Sequence, residues 1–160
     1  MNNQLQIDAL LPAEMAAKVE TLGVKKANLD WVNMFALSVL AGAFIALGAI
    51  FATTVSAGAF ASSLPDGASV STVWPTGVPR LLSGLAFSLG LILVIVGGAE
   101  LFTGNNLIVM AWANGKVSTK RLGSNWLVVY LGNFVGAVAT ALIMLISRQY
   151  EFSHGQIGLQ

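Results

Sequence analysis

The chain has 160 residues, of which 56% are hydrophobic and only 9% charged, and its mean hydropathy is +0.76. Soluble domains carry about 25% charged residues, so this composition indicates an integral membrane protein. A net charge of +1 without a basic run argues against a nucleic-acid partner. The lack of cysteine excludes thiol catalysis, disulfides and cysteine-bound zinc.

The polar segment 1–30 contains one predicted amphipathic helix, Leu11–Leu22. Four apolar side chains recur on one face at helical spacing: Leu11, Met15, Val19 and Leu22. Pro12 suits the first turn and Gly23 suits a C-terminal cap. The helix could lie on the membrane surface, pack on a neighbouring subunit, or act as a gate over a pore entrance. Segment 1–30 lacks the apolar core of a cleavable signal peptide, so we expect the first membrane helix to direct insertion.

The first membrane helix is predicted over Trp31–Phe60, which carries no charge. Trp31 stands where an interfacial aromatic anchor is expected. Small residues recur every four positions and predict a face for close helix packing: Ser38, Gly42 and Ala46. Ala61–Arg80, with three prolines and two glycines, is predicted to be a loop.

A broken second membrane helix is predicted over Leu81–Ala113, which contains a single charge, Glu100. A bilayer core needs only about 20 helical residues, and this run has 33. Its middle holds glycines, adjacent asparagines and the carboxylate, so we predict a break near residues 98–106. Irregular backbone at membrane depth needs protein or a water-filled cavity beside it, and such breaks form the binding sites of many transporters.

The third membrane helix is predicted over Ser124–Ser147, after a polar connection at Asn114–Gly123. It contains a GxxxG step, Gly132 to Gly136, continued by Thr140. Faces of this kind usually pack against another helix, and we favour that interpretation here.

Basic residues predict the orientation. Six of them fall on one side of the membrane: Lys18, Lys25, Lys26, Lys116, Lys120 and Arg121. Only Arg80 and Arg148 fall on the other side, so the positive-inside rule predicts a cytoplasmic N-terminus. With three predicted crossings, we expect a multi-pass protein of the cytoplasmic (inner) membrane. The polar tail, 148–160, would then lie outside. Its His154 is predicted to be a solvated loop histidine.

Glu100 is expected to avoid lipid, because a charge at the bilayer centre costs roughly 2.5–3.5 kcal/mol. It could be protonated or could accept hydrogen bonds from helix-end N–H groups. We favour a structural role over a proton or ion site, because a fixed negative charge would repel an anion. Four neighbours are predicted to support the break with it: Gly98, Leu101, Phe102 and Gly104.

Thr103 is the strongest candidate for the substrate pathway, since its small hydroxyl both donates and accepts hydrogen bonds at the break. Half-helix N-termini there would favour a small anion. Asn105 and Asn106 could add amide donors or could satisfy loop carbonyls, and both interpretations stay open. Phe87 and Leu91, one turn apart, are either packing residues or an apolar constriction of the pathway.

The predicted spans offer little for enzyme chemistry. Glu100 is their one residue with a formal charge, without a histidine, a cysteine or a second carboxylate beside it. We therefore predict no enzyme activity, no catalytic residue, no metal and no cofactor.

Four stretches resemble the formate/nitrite transporter family: Phe87–Leu93, Gly98–Asn105, Asn125–Ala137 and, for its formate-channel branch, Leu10–Met15. The resemblance implies an aquaporin-like fold of six membrane helices, built from two inverted three-helix repeats and assembled as a homopentamer with one pore per protomer. It implies passage of formate or a related small monovalent anion such as nitrite. Phe87 and Leu91 would then form the cytoplasmic-side constriction, and Thr103 would lie in the loop that interrupts the second helix.

The fold class predicted for this chain is therefore all-α and integral to the membrane, with one repeat of three helices at 31–147. The family's second repeat supplies a pore histidine and a hydrogen-bonding asparagine that this chain does not contain. We expect a sequence truncated before that repeat, or a pore completed by a second chain; the asymmetry of basic residues argues against an inverted dimer with itself. The alternative function is a non-conducting membrane assembly or regulatory fragment.

Overall fold

A computed structural model describes residues 10–57, 74–75, 77–152, 155 and 157–158, and every regular element within these ranges is helical. The elements are α1 (Pro12–Ala27), α2 (Trp31–Ser56), α3 (Gly77–Val96), α4 (Phe102–Asn105), α5 (Ile108–Ala113), α6 (Thr119–Ile146) and a short 3-10 turn (Gln149–Glu151). By length and apolar composition, α2, α3 and α6 could each cross a membrane. This confirms the prediction of an all-α chain with three membrane-capable helices.

Helix α2 packs between α3 and α6 through small residues. A Cβ added to Gly48 would lie 2.9 Å from the Gly90 Cα of α3, and one added to Gly136 of α6 would run into the Val39 carbonyl. The GxxxG face of α6 is therefore turned toward α2, where the two backbones are in contact. Large apolar side chains on the opposite faces are exposed, as expected for surfaces that meet lipid.

Helix α1 continues five residues beyond the predicted Leu22. Gly23 is not its cap: the position packs against α5, where an added Cβ would lie 3.3 Å from both the Ala111 Cβ and the Ile108 Cα. Close packing on α5 thus favours the helical conformation of Gly23 over the termination that local preference predicted. Helix α1 therefore packs against α5 of its own chain. The alternatives predicted for it were the membrane surface, a neighbouring subunit or a pore entrance.

Helix α3 begins at Gly77, so residues 77–80 belong to its first turn rather than to the predicted loop. Pro79 fits there because the first N–H groups of a helix have no intrahelical partner. Most of the predicted loop lies outside the described residues. Helix α2 ends at Ser56 instead of Phe60, although residues 58–60 also lie outside the described part.

Helix α6 begins at Thr119, five residues before the predicted Ser124. Ser118 caps it, because its hydroxyl accepts a hydrogen bond from the Arg121 backbone N–H at 3.4 Å. The polar connection is therefore limited to residues 114–118. At the other end α6 stops at Ile146, and His154 lies outside the described residues.

Helix α3 ends at Val96, so the break begins at Gly97, one residue earlier than predicted. Gly98 adopts a left-handed conformation (φ +62°), and the Ala99 N–H binds the Val94 carbonyl at 3.0 Å, which closes α3 with a Schellman motif. The chain is not helical from Ala99 to Leu101, and α4 then starts at Phe102. The predicted break at 98–106 therefore contains one short helical turn, and α5 begins after it at Ile108.

Candidate functional site: a cavity beside the broken helix

A cavity of about 540 Å³ lies beside the break. Leu91 lines it from α3, Thr103 from α4, and Leu22 and Lys26 from α1. Two of the predicted pathway residues, Leu91 and Thr103, therefore share one cavity although 12 positions separate them. Phe87 is exposed one turn before Leu91 but lies outside this cavity.

Several residues predicted to support the break also contribute to the cavity wall. Gly98, Leu101 and Gly104 line it, whereas the Phe102 ring packs edge-on against Tyr130 of α6, with centroids 5.6 Å apart. The break thus presents one open side to the cavity and one side to α6.

Glu100 is only 4% exposed and forms an ion pair that was not predicted from the sequence. The Lys26 ammonium, at the end of α1, binds Oε1 at 2.7 Å, and the Asn105 amide donates to Oε2 at 2.8 Å. Glu100 therefore meets a cation and a side-chain amide, whereas the sequence had suggested protonation or helix-end N–H groups as its two alternatives. These contacts favour the structural role predicted for this carboxylate.

Asn105 is fully buried at the centre of this network. Its Oδ1 accepts a hydrogen bond from Lys26 at 3.2 Å, and its Nδ2 donates to Asn125 Oδ1 at 2.9 Å as well as to Glu100. The Asn105 amide thus donates to the side chains of Glu100 and Asn125, and the residue does not line the cavity. Asn106, its neighbour, is exposed.

Asn125 joins this network to the first two helices. Its Nδ2 donates to the Lys26 carbonyl at 3.2 Å and contacts Met34 Sδ at 3.5 Å, and the residue is 1% exposed. Neither Asn125 nor Lys26, which contributed only to the predicted orientation, was predicted from the sequence as a site residue. The available signal was the amide itself, since a polar side chain in a membrane span is usually bonded within the protein.

Asn133 of α6 binds the backbone of the break. Its Oδ1 accepts from the Phe102 N–H at 2.9 Å, while its Nδ2 donates to the carbonyls of Glu100 (2.9 Å) and Ser38 (2.8 Å). The Glu100 N–H in turn donates to the Leu37 carbonyl of α2 at 3.2 Å. The break is therefore held from both α2 and α6.

Glu20 attaches α1 to the turn that follows α5. Glu20 forms an ion pair with Lys116 at 2.9 Å and accepts a hydrogen bond from Asn114 at 2.8 Å. The hydrogen bond from Lys116, followed by that from Asn114, lowers the pKa of Glu20 from its usual value. These contacts hold the helix that contributes Leu22 and Lys26 to the cavity.

The described residues contain no group of three or more histidine, cysteine or acidic side chains able to hold a metal ion. The chemistry that the cavity wall offers is one hydroxyl, one ammonium and apolar surface.

Comparisons of this chain with known protein families, sequences and structures all identify the same family. Residues 13–159 match the sequence profile of the formate/nitrite transporter family. The chain is 41% identical over 152 residues to the formate channel FocA of Escherichia coli strain K12, covering 95% of this chain and 49% of that protein. It is 38% identical over 158 residues to FocA of Haemophilus influenzae, covering 99% of this chain and 51% of that protein.

The structure resembles a solved "FNT family ion channel" with a TM-score of 0.69 and 25% identity, over 84% of this chain and 50% of that one. The chain spans about half the length of the curated relatives it matches. These relatives are channels and transporters rather than enzymes. The extent of the profile match shows that this chain belongs to the formate/nitrite transporter family.

Proposed function

We propose that this chain forms one half of a pore that moves formate, or a related small monovalent anion such as nitrite, across the cytoplasmic membrane. The observation that carries the proposal is the convergence of Leu91 and Thr103 on one cavity beside the broken helix. Relatives named formate channels at 38–41% identity support this choice of substrate class.

The chemistry of the cavity wall suits a small anion. The Thr103 hydroxyl can donate a hydrogen bond to a carboxylate, and Leu91 supplies an apolar wall that disfavours a full hydration shell. Lys26 lines the same cavity, with its side chain 30% exposed, while it pairs with Glu100. Because this pair is neutral, Glu100 would not repel an anion as an isolated carboxylate would.

The remaining site assignments belong to the same proposal. Phe87 and Leu91 would form the apolar constriction, and Asn106, which is exposed, is the asparagine still available to a pathway. Asn105 is instead assigned to the support of the break. Helix α1 would act as a gate if its attachment through Glu20 were released.

The complete pore would require a second repeat in addition to the half described here. We propose that it has six membrane helices in two inverted repeats, assembles as a homopentamer, and keeps α1 on the cytoplasmic side. The excess of basic residues around α1 and the α5–α6 turn supports that orientation.

Formate uptake into proteoliposomes tests the proposal, with this chain compared with Thr103→Val and Thr103→Ser. Valine keeps the shape of threonine without its hydroxyl, whereas serine keeps the hydroxyl. Flux that falls in Thr103→Val and persists in Thr103→Ser would support a pathway past Thr103. Native mass spectrometry would report the assembly of the inserted chain. If a well-inserted chain gives no flux, the alternative function, a non-conducting membrane fragment, would be favoured for this chain on its own.

A further inference from the structure

The backbone between α3 and α4 has few hydrogen bonds of its own. Residues 99–101 are not helical, and α4 contains only four residues. Backbone N–H and C=O groups at membrane depth must find partners within the protein, since each unsatisfied group costs several kcal/mol. The position of the break must therefore be imposed by its neighbours.

Asn133 provides this restraint with a matching set of groups. A side-chain amide offers one acceptor oxygen and two N–H donors. Here the oxygen faces one N–H, that of Phe102, and the nitrogen faces two carbonyls, those of Glu100 and Ser38. The reversed amide would place donor against donor and acceptor against acceptor, so the chemistry specifies both the residue type and its orientation.

Asn133 reaches the break because α2 and α6 are in contact at this level. A Cβ added to Gly42 of α2 would collide with the Asn133 backbone carbonyl, and one added to Gly132 would collide with the Ser38 side chain. Because these glycines lack a Cβ, the Asn133 side chain extends past α2 to the broken segment.

We propose that Asn133 is a positioning residue that sets where Leu101 and Thr103 stand in the cavity. Leu101 lies between the two backbone groups that Asn133 binds, and Thr103 follows the bound Phe102 N–H directly. Without the amide, α4 keeps its contacts through Asn105 but loses the restraint at Phe102, so Thr103 can shift relative to Leu91 and the cavity no longer presents one fixed hydroxyl. Through the proposed function, this position determines which anions the pathway accepts.

A cysteine reporter tests the position of Thr103 without requiring transport. The chain has no native cysteine, so Thr103→Cys would be the one site for the anionic reagent sulfonatoethyl methanethiosulfonate. We expect Asn133→Leu to change the labelling rate of this reporter about tenfold, as the loss of two or more hydrogen bonds permits. Asn133→Gln, which keeps the amide on a side chain one methylene longer, should give an intermediate rate and remain testable if the leucine variant fails to fold.

Two controls separate positioning from general damage. Lys120→Cys, at an exposed position in the first turn of α6, reports from outside the cavity and should label at the same rate in every background. Thr140→Val removes a buried hydroxyl on α6 that binds only the Gly136 carbonyl of its own helix, and should leave labelling of the Thr103→Cys reporter unchanged. Equal labelling of that reporter in the parent and both Asn133 variants would overturn the proposal.

The ratio of formate to acetate uptake gives a second readout wherever the chain conducts. Asn133→Leu should lower this ratio severalfold, because a larger anion would no longer be excluded by a fixed wall. An unchanged ratio alongside altered labelling would overturn the link to selectivity. If the parent chain does not conduct, the proposed function of the isolated chain fails, but the labelling result still decides the role of Asn133.

Discussion

The two sides of the short helix α4 differ in what surrounds them. On its inner side, Asn105 is fully buried and exchanges hydrogen bonds with Lys26, Glu100 and Asn125. On its outer side, Thr103 and Gly104 are exposed and line the cavity. A broken membrane helix can remain open on one side because the other side satisfies its polar groups. The inner side should therefore govern stability and the outer side permeation.

The largest effect is expected from Lys26→Met, which leaves the Glu100 carboxylate buried without its cation. Breaking a buried ion pair by removing one partner costs about 3–5 kcal/mol, and the partial exposure of Lys26 favours the lower end. The free energy of unfolding in mixed micelles, followed by tryptophan fluorescence, measures this loss. Lys25→Met on the neighbouring exposed residue is the control, and adding Glu100→Gln to Lys26→Met should recover much of the loss.

The adjacent asparagines give the next comparison. Asn105→Leu should lower the free energy of unfolding by about 2–3 kcal/mol, because it removes partners from Lys26, Glu100 and Asn125 in a buried site. Asn106→Leu should change it by less than about 0.5 kcal/mol, as is usual for surface positions. Equal losses in the two variants would contradict the separation into an inner and an outer side.

The contact between α2 and α6 should respond to Gly136→Ala. The added methyl group would collide with the Val39 carbonyl, and overpacking of this kind costs roughly 2 kcal/mol. Gly123→Ala is the matched control on the same helix, because no atom lies within 4 Å of its added Cβ. If Gly136→Ala also separates Asn133 from the break, labelling of the Thr103→Cys reporter will change in that variant, whereas Gly123→Ala will leave it unchanged.

The smallest effect is expected at Glu20, which attaches α1 to the turn after α5. Because its pKa is lowered by Lys116 and Asn114, its contribution to the attachment of α1 is present above the usual glutamate pKa and is lost as the pH falls through the lowered value. A spin label at Ala17→Cys should therefore become more mobile in acid. Glu20→Gln should remove this pH dependence; an unchanged transition would assign it to another group.

The elements that depend on local composition were predictable from the sequence. Apolar runs predicted three membrane-capable helices, and the glycines before Glu100 predicted the break, because Gly98 readily adopts the left-handed conformation that ends α3. Helix limits were less accurate. Gly23 suggested a cap but packs on α5, and the start of α6 depends on the Ser118 cap.

Hydropathy and glycine preferences act over short distances, so they were enough to predict a membrane protein with a broken second helix and Thr103 beside the break. How the break is held became visible only in the folded chain. Lys26 and Glu100 are 74 residues apart, and Asn133 follows Phe102 by 31. Such pairs have no periodic signature in the sequence, because they form only when packing of small residues brings α1, α2 and α6 against the same short segment.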